Sequence, residues 1–208
     1  MAKKNSSLDL FREAISSLNQ GKVHPIYVIE GGEHFFIDRF IKRIIEIIPT
    51  HERDFNSNFL YGNEVHMEDV LQLVKSYPMM AERRLVVVKN ANDLFKRISS
   101  NLQDDFLHYL QRPNPQTILL IHLDPKIPKN TKIGKGLHDQ SIHALLFDPL
   151  PDYQLANWII GWAKQEHKTL LSEQVAQLLA QLVGNDLKLL SSEIDKICTY
   201  TANIEGEI

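Results

Sequence analysis

The sequence has a single cysteine, no long hydrophobic run and no excess of positive charge. Because Cys198 stands alone among 208 residues, an intramolecular disulfide and a metal site built from several cysteines are both excluded, which suits a reducing compartment. No apolar stretch approaches the roughly 18 to 20 residues of a membrane span, and the polar start of the chain lacks the apolar segment of a secretory signal. We therefore expect a soluble cytoplasmic protein without membrane contact.

Acidic and basic residues are nearly balanced. The chain has 23 Lys and Arg against 26 Asp and Glu, for a net charge of -3, so it lacks the general positive field of a tight, sequence-independent nucleic-acid binder. A local basic stretch contains Lys126, Lys129, Lys132 and Lys135. These lysines could contact DNA phosphates or a neighbouring subunit. The alternative, which we favour, is a solvated loop with a short helix.

The nine histidines of the sequence do not indicate a metal centre. No His-x3-His pair with a nearby carboxylate lies on one helical face, and His34, His66, His122 and His143 fall on separate predicted elements. We predict that the chain holds no metal ion.

The aromatic and thiol side chains near the end of the chain are predicted to be structural. Trp158 and Trp162 are one helical turn apart, which favours core packing over a stacking platform for nucleic-acid bases. Cys198 lies on the same apolar stripe as Ile194 and Ile197, which predicts a buried position.

Hydrophobic periodicity alternates between strands and helices through the first 148 residues. Helical spacing predicts helices within residues 8–18, 37–48, 67–74 and 95–112. Short apolar runs predict strands at residues 25–29, 55–59, 85–88, 118–121 and 144–147. The runs at 85–88 and 118–121 are apolar on both faces, as in a covered parallel sheet. The pattern therefore predicts a doubly wound α/β domain with five strands.

The pattern changes after Pro149 and Pro151. Only helical stripes follow, at residues 155–162, 175–182 and 187–197, and their three apolar faces are expected to share one core. We therefore predict two domains, an α/β domain at residues 1–149 and a small three-helix domain at residues 150–208.

A five-stranded α/β domain followed by a three-helix lid is the arrangement of the AAA+ ATPases, in which the first strand leads into a phosphate-binding loop. In this sequence that loop would begin at Gly31. Counting from Gly31, the pattern GxxxxGK[ST] requires Gly, Lys and Ser or Thr where the sequence has Phe36, Ile37 and Asp38. All three functional positions differ, and we interpret the glycines as a tight strand-to-helix turn.

The second half of an ATPase site is also missing. The apolar run at residues 85–88 is followed by Lys89 and Asn90, whereas an ATPase needs acidic residues there to hold magnesium and orient water. The sequence therefore predicts no bound cofactor and no catalytic residue. An active P-loop ATPase remains the rival from the enzyme class, and a nucleic-acid-binding module using the lysines at 126–135 is a third hypothesis.

Two adjacent methionines, Met79 and Met80, follow Pro78 between a predicted helix and a predicted strand. Methionines at such a junction can fill gaps in a core. However, neighbouring side chains on a short turn do not easily both face the core, and exposed methionine suits an adaptable binding surface. From the residues alone, both interpretations stay open.

Several segments spread along the chain resemble the delta subunit of bacterial DNA polymerase III clamp loaders. These segments are PIYVIEGGE with FFID at residues 25–38, RDFN at 53–56, YPMMAERRLVVV at 77–88, the Trp158–Ile159 pair, VGNDL at 183–187 and EIDK at 193–196. Together they cover nearly the whole chain, and their order and spacing are fairly specific.

The resemblance implies an AAA+ fold without ATPase activity, in a bacterial subunit that acts in DNA replication. Such a subunit binds the ring-shaped sliding clamp, which is the beta subunit, and opens its ring interface or holds it open. The resemblance assigns clamp binding to Pro78, Met79, Met80, Arg83 and Arg84. The other partners it implies are the ATP-hydrolysing motor subunits, the delta prime subunit and primed DNA within the complex. Members of the family continue into a collar domain that assembles the loader ring, so either Ile208 marks a truncation, which we favour, or assembly is lost.

Overall fold

The structure is a computed structural model in which residues 6–200 are described. The chain divides into two compact units. One comprises residues 9–148, and the other comprises the described parts of Pro149–Ile208 and Met1–Leu8. Apart from residues 6–8, which were expected in the α/β domain, the described residues of the two units fall in the mixed and in the purely helical regions of the hydrophobic pattern.

The first unit is built on a sheet that contains five strands among the described residues. The strands are β1 Ile26–Glu30, β2 Ser57–Tyr61, β3 Arg84–Lys89, β4 Thr117–Leu123 and β5 His143–Leu146. They are ordered β2-β3-β4-β1-β5, and every neighbouring pair is parallel. The predicted five-stranded α/β fold is therefore confirmed.

Helix α1 precedes the first strand, and the other helices and helical turns of this region connect successive strands. They are α1 Ser7–Asn19, α2 His34–Ile45, a 3-10 turn Thr50–Glu52, α3 Arg53–Asn56, α4 Met67–Lys75, α5 Asn92–Lys96, α6 Ser100–Gln111 and α7 Lys132–Leu137.

Two of the predicted boundaries were wrong. The strand expected from Phe55 begins at Ser57, because residues Arg53–Asn56 form a helical turn after the 3-10 turn. The helix expected over residues 95–112 is two helices, since Ser99 takes an extended conformation before α6. The apolar periodicity continues across this break and therefore conceals it.

The sheet is buried on both faces, as the apolar runs predict. On one face, Val86 and Leu119 pack in a cluster with Val70 of α4 and Phe106 of α6. On the other face, an aromatic cluster contains Phe11, Tyr27, Phe36, Phe40 and Phe147. The sheet is therefore covered on both faces, and functional side chains are expected on the loops at the ends of its strands.

The second unit contains three helices among the described residues. They are α8 Asp152–Trp162, which continues into a π-helical turn Ala163–His167, α9 Glu173–Val183 and α10 Leu187–Tyr200. The predicted helices are all present. Trp158 is buried and stacks on Trp162, with 5.4 Å between ring centroids, and Cys198 is buried. These three residues are structural, as predicted.

One part of the helical prediction was wrong. Leu178 and Leu182 were expected in the shared core, but they are exposed, because α9 buries the stripe that contains Ala176 and Leu179 instead. No helix within residues 6–200 combines the length and the apolar character needed to cross a membrane.

Candidate functional site

The two methionines lie on the loop that joins α4 to β3, which we call the methionine loop (residues 76–83). The helix ends because Ser76 turns extended and Pro78 has no backbone N–H with which to continue it. Large apolar side chains are then left in solvent, with Tyr77 75%, Met79 55% and Met80 93% exposed. Neither methionine fills a gap in the core.

Although the Met79 side chain is exposed, its backbone is hydrogen-bonded to the buried side chain of Asn56. The Met79 N–H donates to Asn56 Oδ1 at 2.7 Å. Asn56 Nδ2 in turn donates to the Met79 carbonyl at 2.9 Å and to the Glu52 carbonyl at 3.0 Å. Asn56 itself is fully buried at the end of α3. One amide side chain therefore binds both polar backbone groups of Met79.

The next residue, Met80, has a left-handed backbone conformation with φ of 51°. For an L-residue other than glycine this region costs roughly 1–2 kcal/mol, so the surrounding contacts have to hold it in place. The turn at Met80 prevents the loop from continuing as an extended segment. The two methionine side chains therefore project from a sharply bent segment of backbone.

The base of the methionine loop is closed by Arg84, the first residue of β3. Its Nη1 donates to Ser76 Oγ at 2.8 Å, and its Nη2 donates to the Phe55 carbonyl at 3.5 Å. Ser76 Oγ donates to the Leu73 carbonyl at 2.8 Å. The guanidinium group therefore joins both ends of the loop to the segment that carries Asn56.

The structure brings the five residues predicted for clamp binding into one region. Pro78, Met79, Met80 and Arg83 belong to the methionine loop, and Arg84 follows it. Pro78 and Arg83 are half-buried, while both methionines are exposed. The guanidinium of Arg84 is engaged with Ser76 and Phe55 rather than directed freely to solvent.

Two neighbouring residues were not among the predicted site residues. Phe55 precedes Asn56 and is 63% exposed, so it adds a large apolar side chain beside the methionine loop. The buried position of Asn56 is set by contacts with Met79, 23 residues away. Periodicity gives no signal for such a contact, and the only sequence signal was the RDFN segment of the family resemblance.

The turn after β1 is shaped by close packing. Gly31 has φ of +112°, and a Cβ atom there would lie 2.3 Å from the Phe147 carbonyl oxygen. After this turn, Glu33 Oε1 accepts a hydrogen bond from the Phe35 N–H at 3.2 Å, at the N-terminus of α2. A phosphate-binding helix offers these N–H groups to its ligand. Here a carboxylate, with Glu33 7% exposed, occupies that end.

The three positions that fail the phosphate-loop pattern have other roles. Phe36 and Ile37 are buried, and Phe36 stacks on Phe11 with 4.8 Å between centroids. Asp38 forms an ion pair with Lys89, with 3.0 Å between Lys89 Nζ and Asp38 Oδ1. Lys89, which stands where an ATPase has an acid, therefore pairs with Asp38, which stands where the phosphate loop has Ser or Thr.

A histidine next to this turn adds no stable positive charge. His122 Nε2 lies 3.4 Å from the Gly31 carbonyl oxygen. Burial is the main cause that lowers the pKa of His122, although its contact with the Gly31 carbonyl opposes the shift. The neutral imidazole is thus favoured at neutral pH.

The basic stretch forms a loop with the short helix α7, the arrangement that we favoured from the sequence. Lys126 pairs with Asp148 at 2.8 Å, and Lys132 pairs with Asp104. These acids reduce the local positive charge. Contact between this stretch and DNA, the alternative that we did not favour, stays untested.

Possible metal ligands are dispersed over the described part of the chain. Within residues 6–200, no group of three or more His, Cys, Asp or Glu side chains is arranged to hold a metal ion.

The family described as "DNA polymerase III, delta subunit" matches residues 27–145. This chain belongs to that family. A relative from Bacillus subtilis (strain 168), named DNA polymerase III subunit delta, is 30% identical over 199 residues, which cover 91% of this chain and 56% of the relative. The chain therefore spans just over half the length of this relative.

Solved structures support the same assignment. The Bacillus subtilis DNA clamp loader delta protein (YqeN) has a TM-score of 0.78 and 26% sequence identity, over 95% of this chain and 59% of that chain. A Thermotoga maritima RuvB mutant has a TM-score of 0.52 at 10% identity, over 96% of this chain and 64% of that chain. Domain III of Thermotoga maritima DnaA also has a TM-score of 0.52, at 12% identity, over 100% of this chain and 89% of that chain. The last two show the fold alone, and it is the predicted AAA+ fold.

Proposed function

We propose that this chain is the clamp-binding part of a clamp-loader delta subunit and that it engages the sliding clamp through the methionine loop. The observation that carries the proposal is the pair of exposed methionines on a loop whose backbone is fixed by Asn56 and Arg84. Family membership supplies the partner, and the loop supplies the surface that fits it.

The exposed side chains provide enough apolar area for a specific contact. Fully burying a methionine side chain is worth roughly 1.5–3 kcal/mol, so Met79 and Met80 together can contribute about 3 kcal/mol or more. We propose that both enter a hydrophobic pocket of the clamp next to its ring interface. Tyr77 and Phe55, which are also exposed, extend the apolar surface around them.

The two arginines contribute in different ways. Arg83 is partly exposed at the end of the loop, where a charge at the rim of an interface affects the association rate more than the affinity. Arg84 is engaged with Ser76 and Phe55. Its contribution to clamp binding is therefore proposed to be indirect, through the shape of the loop.

Binding beside the ring interface can open a clamp without local ATP hydrolysis. A protein that binds the open ring more tightly than the closed ring shifts the equilibrium towards the open ring by the difference in binding free energy. The methionine loop would supply that difference. We propose that this chain either opens the ring or holds it open by this route.

We further propose that the chain is not an ATPase. The carboxylate of Glu33 lies where a phosphate would bind. Lys89 stands where an ATPase has a magnesium-binding acid, and it pairs with Asp38. Separate motor subunits would hydrolyse ATP in the complex. Delta prime and primed DNA are the further partners proposed for the whole protein, in the bacterial cytoplasm.

The proposal is tested by titrating the cognate clamp with the chain of residues 1–208, using calorimetry. We expect saturable binding without added nucleotide. In a separate competition assay with fluorescently labelled chain, we expect unlabelled chain to displace it from the clamp. If the chain is folded but does not bind the clamp at micromolar concentrations, the methionine loop is not a sufficient clamp-binding element.

A further inference from the structure

We propose that Asn56 is a positioning residue for clamp binding, which holds the methionine loop in its binding conformation before the clamp arrives. This inference rests on the proposed function of the loop. Asn56 would not contact the clamp itself, because its side chain is fully buried. It would act through the backbone of Met79.

The hydrogen bonds of Asn56 give it a geometry suited to this role. Two of them join the amide to the N–H and carbonyl of a single residue, Met79, in the same way as a neighbouring strand would. The third joins the amide to the Glu52 carbonyl. The loop is thereby attached to the segment before β2, far away in the sequence. An amide side chain is needed because the contact requires a donor and an acceptor at once.

The attachment reduces the conformational cost of binding. Met79 and Met80 need their side chains free to enter a pocket, so their side chains cannot also anchor the loop. Asn56 anchors the backbone at Met79, directly before the left-handed residue Met80. A loop that is already ordered loses less entropy when the clamp binds, which raises the affinity. Without Asn56, the same two side chains would be presented by a loosened backbone.

The test is the substitution Asn56→Ala, measured by clamp titration. We expect about tenfold weaker binding, which corresponds to about 1.4 kcal/mol. The matched control is Asn92→Ala, because Asn92 also donates to one backbone carbonyl, that of Pro125, and accepts from one backbone N–H, that of Asp124. Asn92 lies beyond the opposite end of β3, so its removal should leave clamp affinity unchanged.

A double-mutant cycle distinguishes positioning from a general effect on the fold. In the background Met79→Ala with Met80→Ala, the further change Asn56→Ala should weaken residual binding by less than about twofold, because no anchors remain to be positioned. An equal loss in both backgrounds would overturn the inference. It would leave the proposed function intact, provided that the methionine substitutions themselves reduce binding.

Hydrogen exchange supplies a second readout that does not depend on the clamp. In the wild-type chain, the Met79 amide should exchange at least about tenfold more slowly than an unbonded amide in an exposed loop, because it donates to Asn56. If Asn56→Ala does not fold, Asn56→Asp keeps the acceptor but loses the donor, and it should still weaken clamp binding. Unprotected Met79 in the wild type, or Asn56→Asp with wild-type affinity, would contradict the inference.

Discussion

Lys89 Nζ lies 3.0 Å from Asp38 Oδ1 and joins the end of β3 to α2. In an ATPase with this fold, the corresponding regions hold magnesium and the phosphates of the nucleotide. In this chain the charges of Lys89 and Asp38 neutralise each other at the place where an ATPase binds its nucleotide. The ion pair therefore leads directly to a prediction about ATP.

Calorimetry of the chain with Mg-ATP should give no binding signal. Glu33 would repel a polyphosphate, and Lys89 is paired with Asp38 instead of supplying the positive charge that is missing at Ile37. The cognate motor subunit, titrated in the same buffer, is the positive control. A dissociation constant in the low micromolar range, equivalent to about 8 kcal/mol of binding free energy, would restore the ATPase hypothesis.

Substituting Gly31 tests whether this glycine serves packing. Gly31→Ala should lower the free energy of unfolding by about 3 kcal/mol or more, because φ is positive and the new Cβ would meet the Phe147 carbonyl. The control is Gly21→Ala, which has φ of +75° and no neighbour within 4 Å. It should cost only about 1 kcal/mol. Similar losses in urea denaturation for both variants would argue against a tight turn at Gly31.

Protonation of His122 should make the fold sensitive to acid. Burial lowers the pKa of His122 below its usual value of about 6.5. The unfolded chain therefore binds a proton more readily, so the stabilisation is fully present above about pH 6.5 and is lost as pH falls through the folded pKa. We expect a lower free energy of unfolding at pH 5.5 than at pH 7.5.

The variant His122→Gln isolates this contribution. Its free energy of unfolding should change less between the two pH values than that of the wild type. The pKa of His143 is also lowered, first by burial and then by its neighbour His24. His143 should therefore account for part of the pH dependence that remains in His122→Gln. A pH dependence that is the same in wild type and His122→Gln would show that His122 does not contribute.

The predicted domain boundary can be tested with a fragment that ends at Asp148. This fragment contains all five strands of the sheet and the compact unit of residues 9–148. It should unfold in one cooperative thermal transition. A fragment without such a transition, or one that binds a hydrophobic dye strongly, would show that the sheet needs the helical region in order to fold.

The strands could be predicted where burial is complete. The runs at 85–88 and 118–121 lie within β3 and β4 and are buried on both faces, so their sequences have to be apolar throughout. The start of β2 was harder, because Phe55, Ser57 and Phe59 alternate as a strand does. Phe55 nevertheless belongs to a helical turn, and no local rule distinguishes the two cases.

The site could be predicted only in part from the sequence. Two adjacent methionines after a proline indicate an unusual junction, and the exposure of Met79 and Met80 agrees with that anomaly. The contact between Asn56 and Met79 could not be predicted, because a buried polar side chain depends on a partner that only the fold brings near. The engagement of Arg84 with Ser76 was missed for the same reason.

The central claim is that Met79 and Met80 carry the clamp affinity. The most direct measurement is the dissociation constant for the clamp of the variant Met79→Ala with Met80→Ala. Both side chains are exposed, so the melting temperature should not change. The control variant, Leu178→Ala with Leu182→Ala, removes another pair of exposed apolar side chains, 54% and 75% exposed on α9. The account predicts roughly hundredfold weaker binding for the methionine variant and no change for the control. Affinity within about threefold of wild type, with the fold intact, would contradict it.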